Sequence, residues 1–74
     1  MDFLCEGKTY AATDLNVFDT GDALVPRVFV TRDLRCVFVQ TVDPYKGARV
    51  HRADAVEIKS LAARFNLPDL LRAT

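Results

Sequence analysis

The sequence predicts a single small α+β domain, in which one C-terminal amphipathic helix packs on an antiparallel sheet of three to five strands that is either open or strongly curled. Three observations favour this fold class. The centre of the chain holds two neighbouring segments rich in Val and Phe, which are typical of strands. Apolar residues recur at helical spacing near the C-terminus. A chain of 74 residues is also too short to divide its buried surface between two cores.

The first two strands are predicted from Phe3–Tyr10, a segment with a central glycine. Gly7 tolerates the positive φ that a two-residue turn requires, so the segment is typical of a tight hairpin in which Cys5 faces Lys8. The following segment, Ala11–Val17, suits a short helical turn and a strand equally well. We treat that segment as irregular.

A second hairpin is predicted in the middle of the chain. Asp19–Asp22 combines short polar side chains with a glycine, which indicates a turn. Pro26 disfavours helix at the residue before it and suits the start of a strand. Arg27–Thr31 and Leu34–Val42 then form the paired strands of a β-hairpin, separated by an Arg-Asp dipeptide.

The second of these strands is apolar on both faces. Side chains alternate along a strand, which gives two sets: Leu34, Cys36, Phe38 and Val42 on one face, with Val37 and Val39 on the other. A strand of this kind is covered on both sides or buries its second face in a partner subunit. Because one helix is predicted as cover, we expect either a curled sheet or a homodimer through the Val37/Val39 face.

Turn and capping signals define the last strand and the helix. Asp43–Gly47 has Pro and Gly at turn positions and leads into a short strand, Ala48–Arg52. Asp54 is a suitable N-cap with a Glu three residues later, and Asn66 suits the left-handed position that ends a helix. Between these two residues the apolar side chains form one stripe: Ile58, Leu61, Ala62 and Phe65.

The charged residues give no overall attraction to a polyanion. Ten basic and ten acidic side chains balance, yet residues 1–26 carry a net charge of −4 and residues 27–74 carry +4. These two parts either form opposite faces of a charge dipole or neutralise each other in space. We find no membrane-spanning segment and no signal peptide in the sequence and expect a cytoplasmic protein. In that compartment Cys5 and Cys36 are expected to be free thiols.

The sequence Asp19-Thr20-Gly21 follows two apolar residues and resembles the catalytic loop of retropepsin-type aspartic proteases. Proteases of that family use two carboxylates that share a proton. The family also has a Gly-rich flap and a second segment with two apolar residues before a glycine. Downstream of the motif this chain has one glycine, Gly47, in a turn. We therefore interpret Asp19 as a turn residue.

The remaining candidate ligands and nucleophiles match no catalytic or metal-binding pattern. The three carboxylates of Asp14, Asp19 and Asp22 lack the alternating loop and closing Glu of a calcium site. One His and two separated Cys do not make a zinc site. His51 has no Ser or Cys near it in sequence, and three scattered glycines do not form a phosphate loop. We expect no catalytic residues, no cofactor, no metal and no enzymatic activity.

The segment Ala48–Asp54 resembles the final strand of the carbon storage regulator family of small dimeric translational repressors, in which Val-His-Arg at the strand end leads into a helix. The resemblance implies that Arg52 contacts RNA, with His51 beside it. The N-terminal strand signature of that family is missing from residues 1–11, and zero net charge weakens the attraction to phosphates. A small dimeric RNA-binding regulator that uses the Arg49–Arg52 strand is the alternative to the function preferred below.

The segment Glu57–Leu67 looks like the first helix and turn of a helix-turn-helix. The recognition helix would then be Pro68–Thr74, and seven residues are too few to present several side chains to a major groove. DNA is therefore not an expected partner.

We expect a small non-enzymatic protein-binding module, a regulator or an inhibitor of the kind that phages and other mobile elements encode. Two charged groups are its candidate interaction surfaces. The basic group consists of Arg35, Arg49, His51 and Arg52, with Tyr45 at a nearby turn as an aromatic anchor. The acidic group suits a basic partner and consists of Asp14, Asp19 and Asp22.

Overall fold

The computed structural model describes residues 2–73. Within this range the elements are β1 (Asp2–Cys5), β2 (Lys8–Ala11), a 3₁₀ turn (Ala12–Asp14), β3 (Leu15–Asp19), β4 (Arg27–Thr31), β5 (Val37–Asp43), β6 (Gly47–Arg52), α1 (Ala55–Arg64) and a second 3₁₀ turn (Pro68–Ala73). β1 and β2 pair with each other, and β3 to β6 form an antiparallel sheet in chain order. The sheet is not closed into a barrel. The predicted α+β fold class is confirmed.

The four-stranded sheet lies between two covering layers. On one face the β1–β2 hairpin forms a buried cluster with side chains of the sheet: Phe3, Cys5, Tyr10, Leu15, Cys36 and Phe38. On the other face α1 and the second 3₁₀ turn form a larger cluster: Val28, Val30, Val37, Val39, Ala53, Ile58, Leu61, Ala62, Leu70 and Ala73. Both faces of β5 are therefore buried within one chain, which is why this strand is apolar on both faces.

The position of Val37 and Val39 corrects one expectation. These side chains are 0% and 1% exposed and lie in the same buried cluster as Ile58 and Leu61 of α1. The prediction of a dimer interface on this face is wrong, because α1 already covers it. The second cover that the sequence seemed to lack is the β1–β2 hairpin. A homodimer through another surface stays a prediction.

The β1–β2 hairpin turns through Glu6 and Gly7, which have φ values of 52° and 79°. Two successive positive φ values are what a tight turn of two residues requires between right-twisted strands. The register places Cys5 opposite Lys8, as the sequence predicts. The turn therefore brings the Glu6 side chain next to the end of β1.

Two segments differ from the sequence-based expectation. The segment after β2, treated as irregular, contains a 3₁₀ turn and then β3, which pairs with β4 along all five of its residues. β5 begins at Val37 instead of Leu34, because Leu34 has a φ of 60°, outside strand geometry. The Thr31 hydroxyl oxygen accepts hydrogen bonds of 3.1 Å from the N–H groups of Arg35 and Cys36 and so closes the longer loop.

The helix has the predicted bounds. The Asp54 carboxylate accepts a 2.8 Å hydrogen bond from the N–H of Glu57, which is the contact of an N-cap. Asn66, with a φ of 53°, turns the chain out of the helix. Pro68 begins a 3₁₀ turn, not a recognition helix, and Leu70 in this turn is fully buried. The segment Pro68–Ala73 therefore contributes to the core.

A disulfide joins Cys5 at the end of β1 to Cys36 just before β5. The prediction of free thiols is therefore wrong for this structure. Phe3 packs on the sheet with its ring 5.3 Å from that of Phe29 and 5.1 Å from that of Phe38. This packing places the end of the hairpin over the loop that precedes β5, where the two sulfur atoms meet. The sequence separation of 31 residues concealed this proximity.

Replacing both cysteines together, Cys5→Ala with Cys36→Ala, should lower the free energy of unfolding by about 3–4 kcal/mol, because the cross-link closes a loop of this length in the unfolded chain. Urea denaturation of the oxidised wild type and of the variant measures the loss. Reduced wild type keeps both side chains and serves as the control that separates cross-linking from packing. Equal unfolding free energies for oxidised wild type and variant would contradict this role of the disulfide.

Candidate functional site

Ion pairs connect the acidic and basic parts of the chain. Each of four pairs joins a residue from 1–26 to a residue from 27–73: Glu6 to Arg52 at 3.1 Å, Lys8 to Asp33 at 3.4 Å, Asp19 to Arg27 at 3.4 Å and Asp22 to Arg64 at 2.6 Å. The two parts therefore neutralise each other locally. This geometry supports the second of the two charge arrangements considered from the sequence and not the dipole.

The acidic group does not form one surface. Asp14 and Asp19 stand at opposite ends of β3, which places them about 16 Å apart along the strand. Asp14 accepts a 2.9 Å hydrogen bond from the N–H of Ala11, a local cap. Asp19 is exposed and pairs with Arg27. The carboxylates therefore do not converge on a common ligand.

Asp22 has a structural role in the loop between β3 and β4. Its Oδ1 accepts hydrogen bonds from the N–H groups of Leu24 at 2.8 Å and Val25 at 3.1 Å. These bonds, with the Arg64 guanidinium beside the carboxylate, hold the pKa of Asp22 below its usual value. Asp22 is therefore a fixed part of the loop, and its role as a contact for a partner stays a prediction.

The basic group is divided between the two faces of β6. His51 lies opposite Val39 on the helix side, and its Nε2 is 3.0 Å from a carboxylate oxygen of Glu57. Arg52 lies opposite Phe38 on the hairpin side and pairs with Glu6. By the same alternation Arg49 belongs to the face of His51. The strand therefore presents no single basic stripe.

Arg35 and Arg52 do come together. Both line a cleft of about 490 Å³ between the hairpin turn, the start of β5 and the start of α1. Tyr45 lies in the β5–β6 turn, at the opposite end of the β5–β6 ladder from Arg52, and is 96% exposed. The aromatic anchor and the arginine pair are therefore separate features.

The outer edge of β6 is open to solvent. The register with β5 and a 2.8 Å hydrogen bond from the N–H of Ala53 to the carbonyl of Val37 fix which backbone groups face β5. Backbone groups alternate in direction along an antiparallel ladder. Among residues 2–73 no backbone partner meets the outward groups, which belong to Ala48, Val50 and Arg52.

A groove of about 370 Å³ lies between this edge and β1. Its apolar lining comes from Phe3 and Leu4 of β1, Phe38 of β5 and Val50 of β6. Leu4 is 69% exposed and gives the groove an apolar wall that solvent can reach. No sequence pattern predicts this groove, since it depends on how the hairpin lies over the sheet.

A second polar cluster ties the hairpin to the loop between β4 and β5. The Tyr10 hydroxyl donates a 2.8 Å hydrogen bond to Asp33, and Lys8 lies 4.8 Å above the Tyr10 ring. The pKa of Asp33 lies far below its usual range. Hydrogen bonding with the Thr31 hydroxyl lowers this pKa most, and the hydrogen bond from the Tyr10 hydroxyl lowers it further. Burial, and then the bond to Asp33, raises the pKa of Tyr10.

Three potential metal ligands meet beside the arginine pair. The ligand atoms of Cys5, Glu6 and Cys36 lie within 4.8 Å of one another. Glu6 and Cys36 also line the 490 Å³ cleft. The sequence-based argument against a zinc site relied on the separation of the two cysteines along the chain. The fold brings their side chains together.

Comparison of this chain with protein-family models, with curated proteins and with solved structures gives no match. Among residues 2–73 no helix is long and apolar enough to cross a membrane. The function is therefore inferred from the geometry of the surface.

Acid should weaken the fold through Asp33. Because the pKa of Asp33 is lowered in the folded state, its stabilisation is complete above about pH 4, the ordinary value for Asp, and is lost as the pH falls below it. We expect the urea midpoint of the wild type to drop between pH 6 and pH 3 and the drop to be smaller in Asp33→Asn. Tyr10→Phe, which keeps the ring, should give an intermediate drop. An equal drop in wild type and Asp33→Asn would refute this assignment.

Proposed function

We propose that this protein is a small non-enzymatic protein-binding module, a regulator or an inhibitor, which receives an extended segment of its partner at the outer edge of β6. The observation that carries the proposal is the open edge of β6 beside an apolar groove. An extended segment that joins a sheet edge gains main-chain hydrogen bonds, and pockets for alternate side chains give it specificity. Both requirements are present at this edge.

The groove favours β6 over the other open edge of the sheet. β3 is the other edge strand of the sheet. The N–H of Thr20 bonds to the carbonyl of Pro26 on the β4 side, so by alternation the backbone groups of Val17 face outward. β6 differs because β1 stands beside it and contributes the exposed Leu4 to the groove. An incoming strand at β6 could bury apolar side chains against Leu4 and Val50 while it pairs with the backbone.

RNA binding by the Arg49–Arg52 strand is the alternative. The alternation of β6 puts Arg52 on the opposite face from Arg49 and His51. Arg52 is engaged by an ion pair with Glu6, and His51 by a 3.0 Å contact with a carboxylate oxygen of Glu57. Phosphate contacts need several free basic groups on one surface. The geometry therefore gives RNA binding less support than strand addition.

We also infer a cytoplasmic location, where cellular thiols would reduce the disulfide that the structure contains. Two cysteines in 74 residues are far fewer than small secreted disulfide scaffolds carry. In cells quenched with acid, both cysteines should therefore react with an alkylating reagent without prior reduction. Cysteines that resist alkylation until a reductant is added would place the protein in an oxidising compartment instead.

The test of strand addition uses proline at matched positions of the two open edges. Val50→Pro removes an outward N–H from β6, and Val17→Pro removes the equivalent outward group from β3. Neither change breaks a bond inside the sheet, since proline is tolerated where the N–H faces solvent. Both side chains lie on the hairpin face of the sheet.

Nuclease-treated lysate is passed over immobilised wild type and over both variants, with circular dichroism as the check on folding. We expect wild type and Val17→Pro to capture the same protein and Val50→Pro to lose it. Capture that disappears with nuclease treatment would favour RNA binding. Capture that survives in Val50→Pro, or no nuclease-resistant capture by wild type, would contradict the proposed function.

A further inference from the structure

The cysteine pair and Glu6 have the geometry of a metal site once the disulfide is reduced. Ligand atoms of a tetrahedral zinc site lie about 3.5–3.8 Å apart, as bond lengths near 2.0–2.3 Å require. The three ligand atoms here lie within 4.8 Å of one another. Cys5 and Cys36 are 3% and 2% exposed, so both sulfur ligands come from buried residues, and after reduction their side chains rotate to reach that spacing.

Each ligand is held by a defined part of the fold. Cys5 is the last residue of β1, and Glu6 follows it in the tight turn. The N–H of Cys36 donates to the Thr31 hydroxyl oxygen, which fixes the loop before β5. The Arg52 guanidinium donates a 3.1 Å hydrogen bond to Glu6 and orients its carboxylate. The backbone at each ligand is therefore fixed before any ion binds.

We propose that the reduced protein binds Zn²⁺ through the thiolates of Cys5 and Cys36 and the carboxylate of Glu6. Two sulfur ligands select zinc over the hard ions magnesium and calcium. The fourth position faces the 490 Å³ cleft, which Glu6 and Cys36 line, and takes water there. This site shares Arg52 with the β6 edge that the proposed function uses, but none of its three ligands lies on that edge.

The charges around the cleft match this site. Two thiolates, one carboxylate and Zn²⁺ together carry a charge of −1. Arg35, Arg52 and Asp54 line the same cleft, and with the charge of the site they bring its net charge to zero. Without the ion the cysteines are neutral thiols or a disulfide, and the cleft is neutral as well, with Glu6 and Asp54 against the two arginines.

Zinc binding and the disulfide exclude each other. A dithiol reductant supplies two electrons and two protons to the disulfide, which becomes two thiols while the reductant becomes a cyclic disulfide. Zn²⁺ then displaces both thiol protons as the two Zn–S bonds form. Oxidation by a disulfide compound takes the two electrons back and releases the ion. The same two cysteines therefore join the hairpin to the loop before β5, either through a covalent bond or through a metal ion.

The experiment titrates Co²⁺, the spectroscopic substitute for zinc, into the reduced full-length protein under argon. We expect a thiolate-to-cobalt charge-transfer band and the visible bands of tetrahedral cobalt at one equivalent, with displacement by Zn²⁺. The oxidised protein should give neither. Cys36→Ser should lose the charge-transfer band of a two-thiolate site, and Glu6→Gln should weaken zinc affinity at least 10-fold.

Arg52→Gln keeps all three ligands but removes the guanidinium that orients the Glu6 carboxylate. Its zinc affinity should fall less than that of Glu6→Gln, and its two-thiolate charge-transfer band should be retained. If the reduced protein unfolds without metal, one equivalent of Zn²⁺ should restore its far-ultraviolet circular dichroism. Absence of the charge-transfer band, no refolding of an unfolded reduced chain by zinc, or equal affinity in Glu6→Gln and wild type would overturn the three-ligand site.

Discussion

The structure depends on one constraint: a central strand, β5, that is apolar on both faces must be covered on both. A sheet of four short strands cannot bury itself, and the chain offers one helix. The second cover is the N-terminal hairpin, which lays Phe3 and Tyr10 over Phe38. The remaining features follow from this placement. The disulfide, the Lys8–Tyr10–Asp33 cluster and the pair of Glu6 with Arg52 all lie where the hairpin meets the sheet.

The same placement creates both candidate sites. The hairpin covers the middle of the sheet but not its edge at β6, so a groove remains between β1 and β6. Its turn reaches the loop before β5, which brings the two cysteines and Glu6 together. Residues that look unrelated in sequence are therefore neighbours because a two-stranded layer is laid across a four-stranded one. Binding at the edge and binding at the turn use different ends of that layer.

The local elements could be predicted from the sequence because their signals are local. Turn glycines, the Asp54 N-cap and the helical stripe fix the hairpins and α1 without reference to the rest of the chain. The alternation of Cys36 and Phe38 with Val37 and Val39 also gives the correct division of β5 into two faces. Local signals could not show which element covers the second face of β5. That inference requires knowing that the β1–β2 hairpin packs on the face of β5 and not beside it in the sheet. The dimer interface was predicted in error for that reason.

The functional residues were harder to predict for a related reason. Asp14, Asp19 and Asp22 are close in sequence, but a strand separates the first two and a loop engages the third. Glu6 and Leu4, which border the two candidate sites, have no distinctive sequence pattern around them. The two cysteines were the available signal: a link between them would have placed the hairpin turn beside the start of β5 and revealed the cleft.

The order of the strands has a consequence for how the chain acquires its structure. β3 to β6 are neighbours in sequence and in space, so the sheet can form from successive local hairpins, a route that favours rapid folding. The β1–β2 hairpin leaves the ribosome before the sheet that it covers. Its aromatic side chains and the Cys5 thiol therefore remain exposed during synthesis until β5 has emerged.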